Sequence, residues 1–129
     1  MKSRSAEKSP KPARRAKGPP LLKKILKALE EKKAGDIRIL EVEKLSSITN
    51  YLVLATATSE PHLRALRIEL ERVFSEGNSK VLGRDTAKGS GWSIIDGADI
   101  IIHLFLSEVR IKYRLEMLWR DAPVVYTAG

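Results

Sequence analysis

The residues best able to do chemistry sit in one short stretch: Gly89–Ser90, then Asp96 and Asp99, with His103 close behind. A Gly–Ser pair followed by acids is the raw material of a metal-dependent transfer centre, where paired carboxylates hold cations beside a phosphoryl group. Such a centre wants its carboxylates converging, commonly as D-x-D, because alternation then puts both on one face of a strand. Asp96 and Asp99 are instead three apart, with Gly97 and Ala98 between them. That is the composition of a turn, and both acids are expected to bond its backbone. No catalytic residue is assigned.

Other chemistries fail on similar grounds. There is no G-x-x-x-x-G-K-[ST] and no G-x-G-x-x-G after a strand. Gly89-x-Gly91 precedes a strand and so lacks a helix N-terminus to hold phosphate. The nucleophile elbow G-x-S-x-G is missing. His103, inside IIIHLFL, is expected to be a buried histidine satisfied by a backbone carbonyl, and His62 a solvated residue of a helix first turn. With no cysteine and two histidines, neither a disulfide framework nor an ordinary zinc site is expected. No metal and no cofactor is assigned.

The elements that position these residues follow from periodicity. Gly91–Trp119 is the densest segment, read as strand (Trp92–Ile95), turn (96–99), strand (Ile100–Leu106) and helix, with Ser107 as its cap. Ile111, Leu115 and Leu118 share a face of that helix, and Pro123 closes it. Upstream, Leu22, Ile25, Leu26 and Leu29 make one apolar stripe of a helix over Leu21–Lys33, with Gly35 as the stop. A strand follows at Ile37–Glu43; its alternation slips between Ile39 and Leu40, which a bulge or burial of both faces would explain. Tyr51–Ala57 is apolar nearly throughout, as a central strand covered on both sides should be. Ser59 can cap a helix over Glu60–Glu76 whose stripe is Leu63, Leu66, Leu70, Val73 and Phe74. Lys80–Gly83 reads as a short strand and Asp85–Ser90 as a polar loop. Interleaved elements of this kind make an α/β fold: a single mixed sheet of about five strands with helices packed on it.

Charge divides the chain unevenly. The formal net charge is +8, of which residues 1–20 carry +6 through Lys2, Arg4, Lys8, Lys11, Arg14, Arg15 and Lys17 against Glu7. That proline-rich stretch is expected to be a disordered arm, either touching RNA phosphates or merely solvated. The folded part is expected over residues 21–122, nearly neutral, with 123–129 a short C-terminal tail. No apolar run approaches the roughly 20 residues that span a bilayer, and no secretory signal is evident. A soluble cytoplasmic protein without a membrane partner is expected.

Several segments, taken in order, resemble the ribosomal silencing factor family, also called Iojap-like. They are Ser46–Ser47–Ile48–Thr49–Asn50–Tyr51, Ala55–Thr56–Ala57–Thr58–Ser59, Trp92–Ser93–Ile94–Ile95–Asp96, and Asp99–Ile100–Ile101–Ile102–His103–Leu104–Phe105. The match continues through Arg110, Tyr113, Leu115–Glu116 and Leu118–Trp119, and spans roughly residues 20–122. The resemblance implies a nucleotidyltransferase-like shape without the active site. It also implies a non-enzymatic function. Members bind the large ribosomal subunit at ribosomal protein fourteen (an L14-type protein), block an intersubunit bridge and small-subunit joining, and so repress translation. Two departures stand out: Asn50 where the family commonly has Asp, and Asp85–Thr86 near a family Glu–Gly pair. Thr86 does not readily take the positive φ that glycine allows.

Protein interfaces draw their energy from a few aromatic and Arg anchors within a polar rim. Trp92, opening a strand beside a polar loop, is the first candidate anchor, and core packing is its alternative. Asn50, Tyr51, Asp85 and Asp96 could form the rim. Arg110, Tyr113 and Glu116 recur at i, i+3 and i+6 and can share a side of the last helix; a surface Arg–Glu pair is the plainer account. Trp119 is expected to close the core. Homodimerisation is left open. Two other classes compete: a nucleotidyltransferase-like enzyme, which shape alone would permit, and a basic RNA-binding adaptor, which the near-neutral folded part disfavours.

Overall fold

The computed structural model describes residues 19–44, 49–77, 83–86, 90–97, 99–113, 117 and 120–128. They form helix α1 (Pro20–Glu31), strands β1 (Gly35–Glu41) and β2 (Tyr51–Ala57), helix α2 (Glu60–Glu76), strands β3 (Gly83–Thr86), β4 (Trp92–Asp96) and β5 (Ile100–Leu106), helix α3 (Ser107–Tyr113) and strand β6 (Val124–Ala128). One mixed sheet has the order β3-β4-β5-β2-β1-β6. Only β2 and β5 run parallel; every other neighbouring pair is antiparallel.

The two faces are covered differently. Helices α1 and α2 lie over one, where Leu22, Ile25, Leu29, Leu66, Leu70 and Phe74 meet Ile39, Val53, Ala55, Ile102 and Leu104. Across the sheet, Leu40, Leu52, Leu54 and Phe105 form a smaller cluster joined by Val109 of α3 and by Trp92. In β1, Ile39 and Leu40 belong to opposite clusters, so burial of both faces accounts for the adjacent apolar pair. A register shift also falls between them in the pairing with β6.

The mixed sheet is as expected, but it has six strands. Val124–Ala128, expected to be a tail, pairs antiparallel with β1. Pro123 sends its carbonyl to the Glu41 amide at 2.9 Å, and Ala122 is buried, which delivers the chain to that edge. Its Val-Val-Tyr-Thr composition suits a pleated surface. A second correction concerns the short strand, which runs over Gly83–Thr86, so Asp85 and Thr86 pair with β4 instead of lying in a loop. Pairing with a strong neighbour overrides the weak strand preference of Arg-Asp-Thr. Residues 80–82 and 87–89 lie outside the described residues.

Helix ends show the same interplay. α1 stops before Gly35: Ala34 donates to the Leu29 carbonyl and Lys33 to that of Glu30, a Schellman closure. Lys33 therefore holds the left-handed conformation, at φ 60°. Ser59 caps α2, its hydroxyl accepting the His62 amide at 3.2 Å. Ser107 is already the first residue of α3, which follows β5 without a break. Ile111 is 68 % exposed, not buried, because α3 packs through Val109 and Arg110. Leu115, Leu118 and Trp119 lie outside the described residues, as do residues 1–18 of the arm expected over 1–20, whose last residue, Pro20, opens α1.

Candidate partner-binding face

Trp92 is placed by the residue before it. Gly91 has φ +75°, and a Cβ there would stand 2.9 Å from a Val109 methyl, so glycine alone lets α3 approach the start of β4. Pairing then sets Trp92 opposite Phe105 and Ile94 opposite His103. Alternation carries these side chains to the face away from α1 and α2. The indole donates from Nε1 to His103 Nδ1 at 3.0 Å. Its ring centroid lies 5.4 Å from that of Phe105, and His103 stacks on Phe105 at 5.9 Å.

This trio changes what His103 is. Its partner is an indole N–H, not the backbone carbonyl expected, and Nδ1 must therefore be an acceptor. Burial pushes its pKa down to about 4, so it is neutral near pH 7. A neutral imidazole whose Nδ1 is occupied by Trp92 serves as packing and orientation for the ring above it. Trp92 stays only partly buried, with Ile94, Ile101 and His103 in the same condition. The result is an aromatic and aliphatic patch on the sheet, part open to solvent.

The other candidates do not all converge on it. Asp96 is on the same strand and face as Trp92, four residues along, roughly 13 Å away. Asn50 and Tyr51 lie at the start of β2, where both amides donate to the Asp99 carbonyl, at 3.0 and 2.9 Å. Tyr51 packs toward the helix-covered side, and burial with Glu41 and Glu43 nearby raises its pKa. Asp85 stands in β3 opposite Ile94. Arg110 is only 5 % exposed. It donates to the Asp36 carbonyl at 2.6 Å and to Thr56 Oγ1 at 2.9 Å, with its guanidinium 5.9 Å from the Phe105 centroid. It thus fastens α3 to the sheet beneath the aromatic patch. Tyr113 ends α3, and Glu116 lies outside the described residues.

Backbone groups close the turn between the two acids, with Asp96 ending β4. Gly97 donates to the Ile100 carbonyl and Asp99 to that of Gly97. A Cβ on Gly97 would meet Phe74 at 2.1 Å, so the glycine is required by close packing. Among the described residues, no three His, Asp or Glu side chains cluster as a metal site. Thr86 is extended; the only non-glycine residues with positive φ among those described are Lys33 and Asp36. His62 is not merely solvated. Its Nδ1 accepts the Thr58 amide at 2.9 Å and its Nε2 meets the Lys32 carbonyl at 2.7 Å, tying α2 to the end of α1.

The aromatic patch, with no assembled acid site beside it, belongs to a fold whose relatives are known. A family model described as "Ribosomal silencing factor during starvation" matches residues 15–128. The chain is a member of the ribosomal silencing factor family. It is 30% identical over 109 residues to ribosomal silencing factor RsfS of Halalkalibacterium halodurans, covering 84% of this chain and 93% of that protein. It is 34% identical over 101 residues to the chloroplastic protein Iojap of Zea mays, covering 78% of this chain and 44% of Iojap. A crystal structure of a Chromobacterium violaceum protein superposes with TM-score 0.74 at 29% identity, over 77% of this chain and 82% of that one. The family's names describe regulatory factors, not enzymes. No described helix is long and apolar enough to cross a membrane.

Proposed function

We propose that this chain represses translation by binding the large ribosomal subunit at ribosomal protein fourteen and covering the surface an intersubunit bridge needs. The observation that carries this reading is the Trp92–His103–Phe105 patch: an aromatic anchor, oriented by a hydrogen bond and left partly open. Family membership supports the ribosomal partner. So does the mouse relative named for mitochondrial assembly of the ribosomal large subunit, 31% identical over 101 residues, covering 74% of this chain and 43% of that protein. Steric occlusion needs no bond made or broken, which suits a patch built from an indole, an imidazole and apolar side chains. Trp92 is the anchor, with Ile94 and Ile101 beside it and Asp96 at the rim. Arg110 holds the platform from below.

Trp92→Ala should weaken co-sedimentation with isolated large subunits by about 2 kcal/mol or more, the scale of interface hot spots. Unchanged binding by a variant that remains folded would remove Trp92 as the anchor.

A further inference from the structure

The two parallel strands send their chains to opposite sides of the sheet. From β2 the chain enters α2 on the helix-covered face; from β5 it enters α3 on the other. Where adjacent parallel strands part in this way, a crevice opens beyond their carboxyl ends, and open α/β sheets bind small ligands in such crevices. Here it is a groove of about 440 Å³, largely open to solvent, with the volume though not the enclosure of small-molecule sites. Thr56 near the end of β2 and Ser107 just past β5 line it, as the topology requires.

Its chemistry is not that of a core gap. Arg110, 5 % exposed, and Arg38 from β1 both line the cavity, with Asp36 as the single acid. The Arg38 Nε is buried and meets no hydrogen-bond acceptor among the described residues. With no accessible surface, this atom is not what faces the cavity; Arg38 lines it through its other atoms. At the mouth stand Ile111 and Met117, 68 % and 53 % exposed, offering apolar surface to whatever enters.

We propose that this crevice binds a phosphate monoester carried on a planar, nucleoside-sized body. Arg110 is already paired with Asp36, its Nη1 3.7 Å from Oδ2, so Arg38 supplies the uncompensated positive charge of the site. The Arg38 fork and the Thr56 and Ser107 hydroxyls come from different elements. Three terminal oxygens of a tetrahedral phosphate can use separate donors in a way a flat carboxylate, satisfied by one guanidinium, cannot. The cavity is too large for a bare phosphate, and the Ile111–Met117 lip suits the attached ring. The crevice is distinct from the acid turn: Asp96 pairs near the start of β5, whereas Ser107 follows its end, roughly 20 Å along the strand. Binding therefore needs no divalent cation. The site does not depend on the ribosomal reading, so either can fail alone.

Calorimetric titration of the full chain with AMP and with adenosine, each with and without magnesium, tests the site. AMP should bind saturably at one site, magnesium should leave its affinity unchanged, and adenosine should give no saturable signal. Arg38→Gln should weaken AMP at least about tenfold. In the wild-type chain, AMP should shift the amide resonances of Thr56, Ser107 and Ile111. No saturable AMP binding at millimolar concentration, adenosine bound as well as AMP, or shifts confined elsewhere would each overturn the proposal. If Arg38→Gln does not fold, the wild-type resonance map decides.

Discussion

The two faces of the sheet are made by the same strands and finished differently. Toward α1 and α2, Val53, Ala55, Ile102 and Leu104 are fully buried. On the opposite face, Leu54 and Phe105 are equally buried, yet Trp92, Ile94, Ile101 and His103 around them are left part open. The first face is continuous hydrocarbon and sets stability. The second adds an indole–imidazole bond and a buried guanidinium, groups that tolerate water on one side. The proposed use of Trp92 in recognition rests on this half-covered ring and its polar partner.

Substitutions on each face can break that division. Phe74→Ala, on the helix-covered face, should cost about 3–5 kcal/mol of unfolding free energy, measured by denaturant melts. A loss under about 1 kcal/mol would mean the face is less well packed than described.

The open face should show itself through pH. His103 is neutral in the fold until about pH 4, whereas in the unfolded chain it takes up a proton near 6.5. Its contribution is therefore complete above 6.5 and is lost as pH falls from 6.5 toward 4, on the order of 3 kcal/mol in all. His103→Gln should flatten the stability profile across that window. An unchanged slope would place the titration elsewhere.

Next in size is the effect of Trp92→Ala on subunit binding, which Phe74→Ala should not reproduce in molecules that remain folded. Smallest is a gain: Lys33→Gly relieves the left-handed residue of the α1 closure and should raise stability by up to about 1 kcal/mol, with subunit binding unchanged. A loss there would show that the lysine side chain does more than occupy a turn.

Much of this was readable in the sequence. Tyr51–Ala57, Glu60–Glu76 and Ile100–Leu106 fall where expected because periodicity and punctuation agree, with Ser59 before the helix and Gly77 after it. Strand β6 reads in sequence as a tail: Val124–Thr127 has strand composition, but it comes after the Pro123 stop and its partner β1 lies far upstream. β3 was displaced because its register is dictated by β4 and not by its own residues. The candidate site was half legible. Trp92 stands out by type and position, but its bond to His103 follows only from the β4–β5 register. Arg110 looked like a surface residue at helical spacing. Its partners, Asp36 and Thr56, are 74 and 54 residues away, beyond any local pattern. Asn50 and Tyr51 resemble family positions, yet the fold sets them at the far end of the sheet from Trp92.

Sucrose-gradient profiles of purified small and large subunits mixed with the full chain address the occlusion of subunit joining most directly. Increasing protein should move material from joined ribosomes to free subunits, with the chain co-migrating with the large one, and Trp92→Ala should need a higher dose. Joined ribosomes forming normally at saturating protein would contradict it.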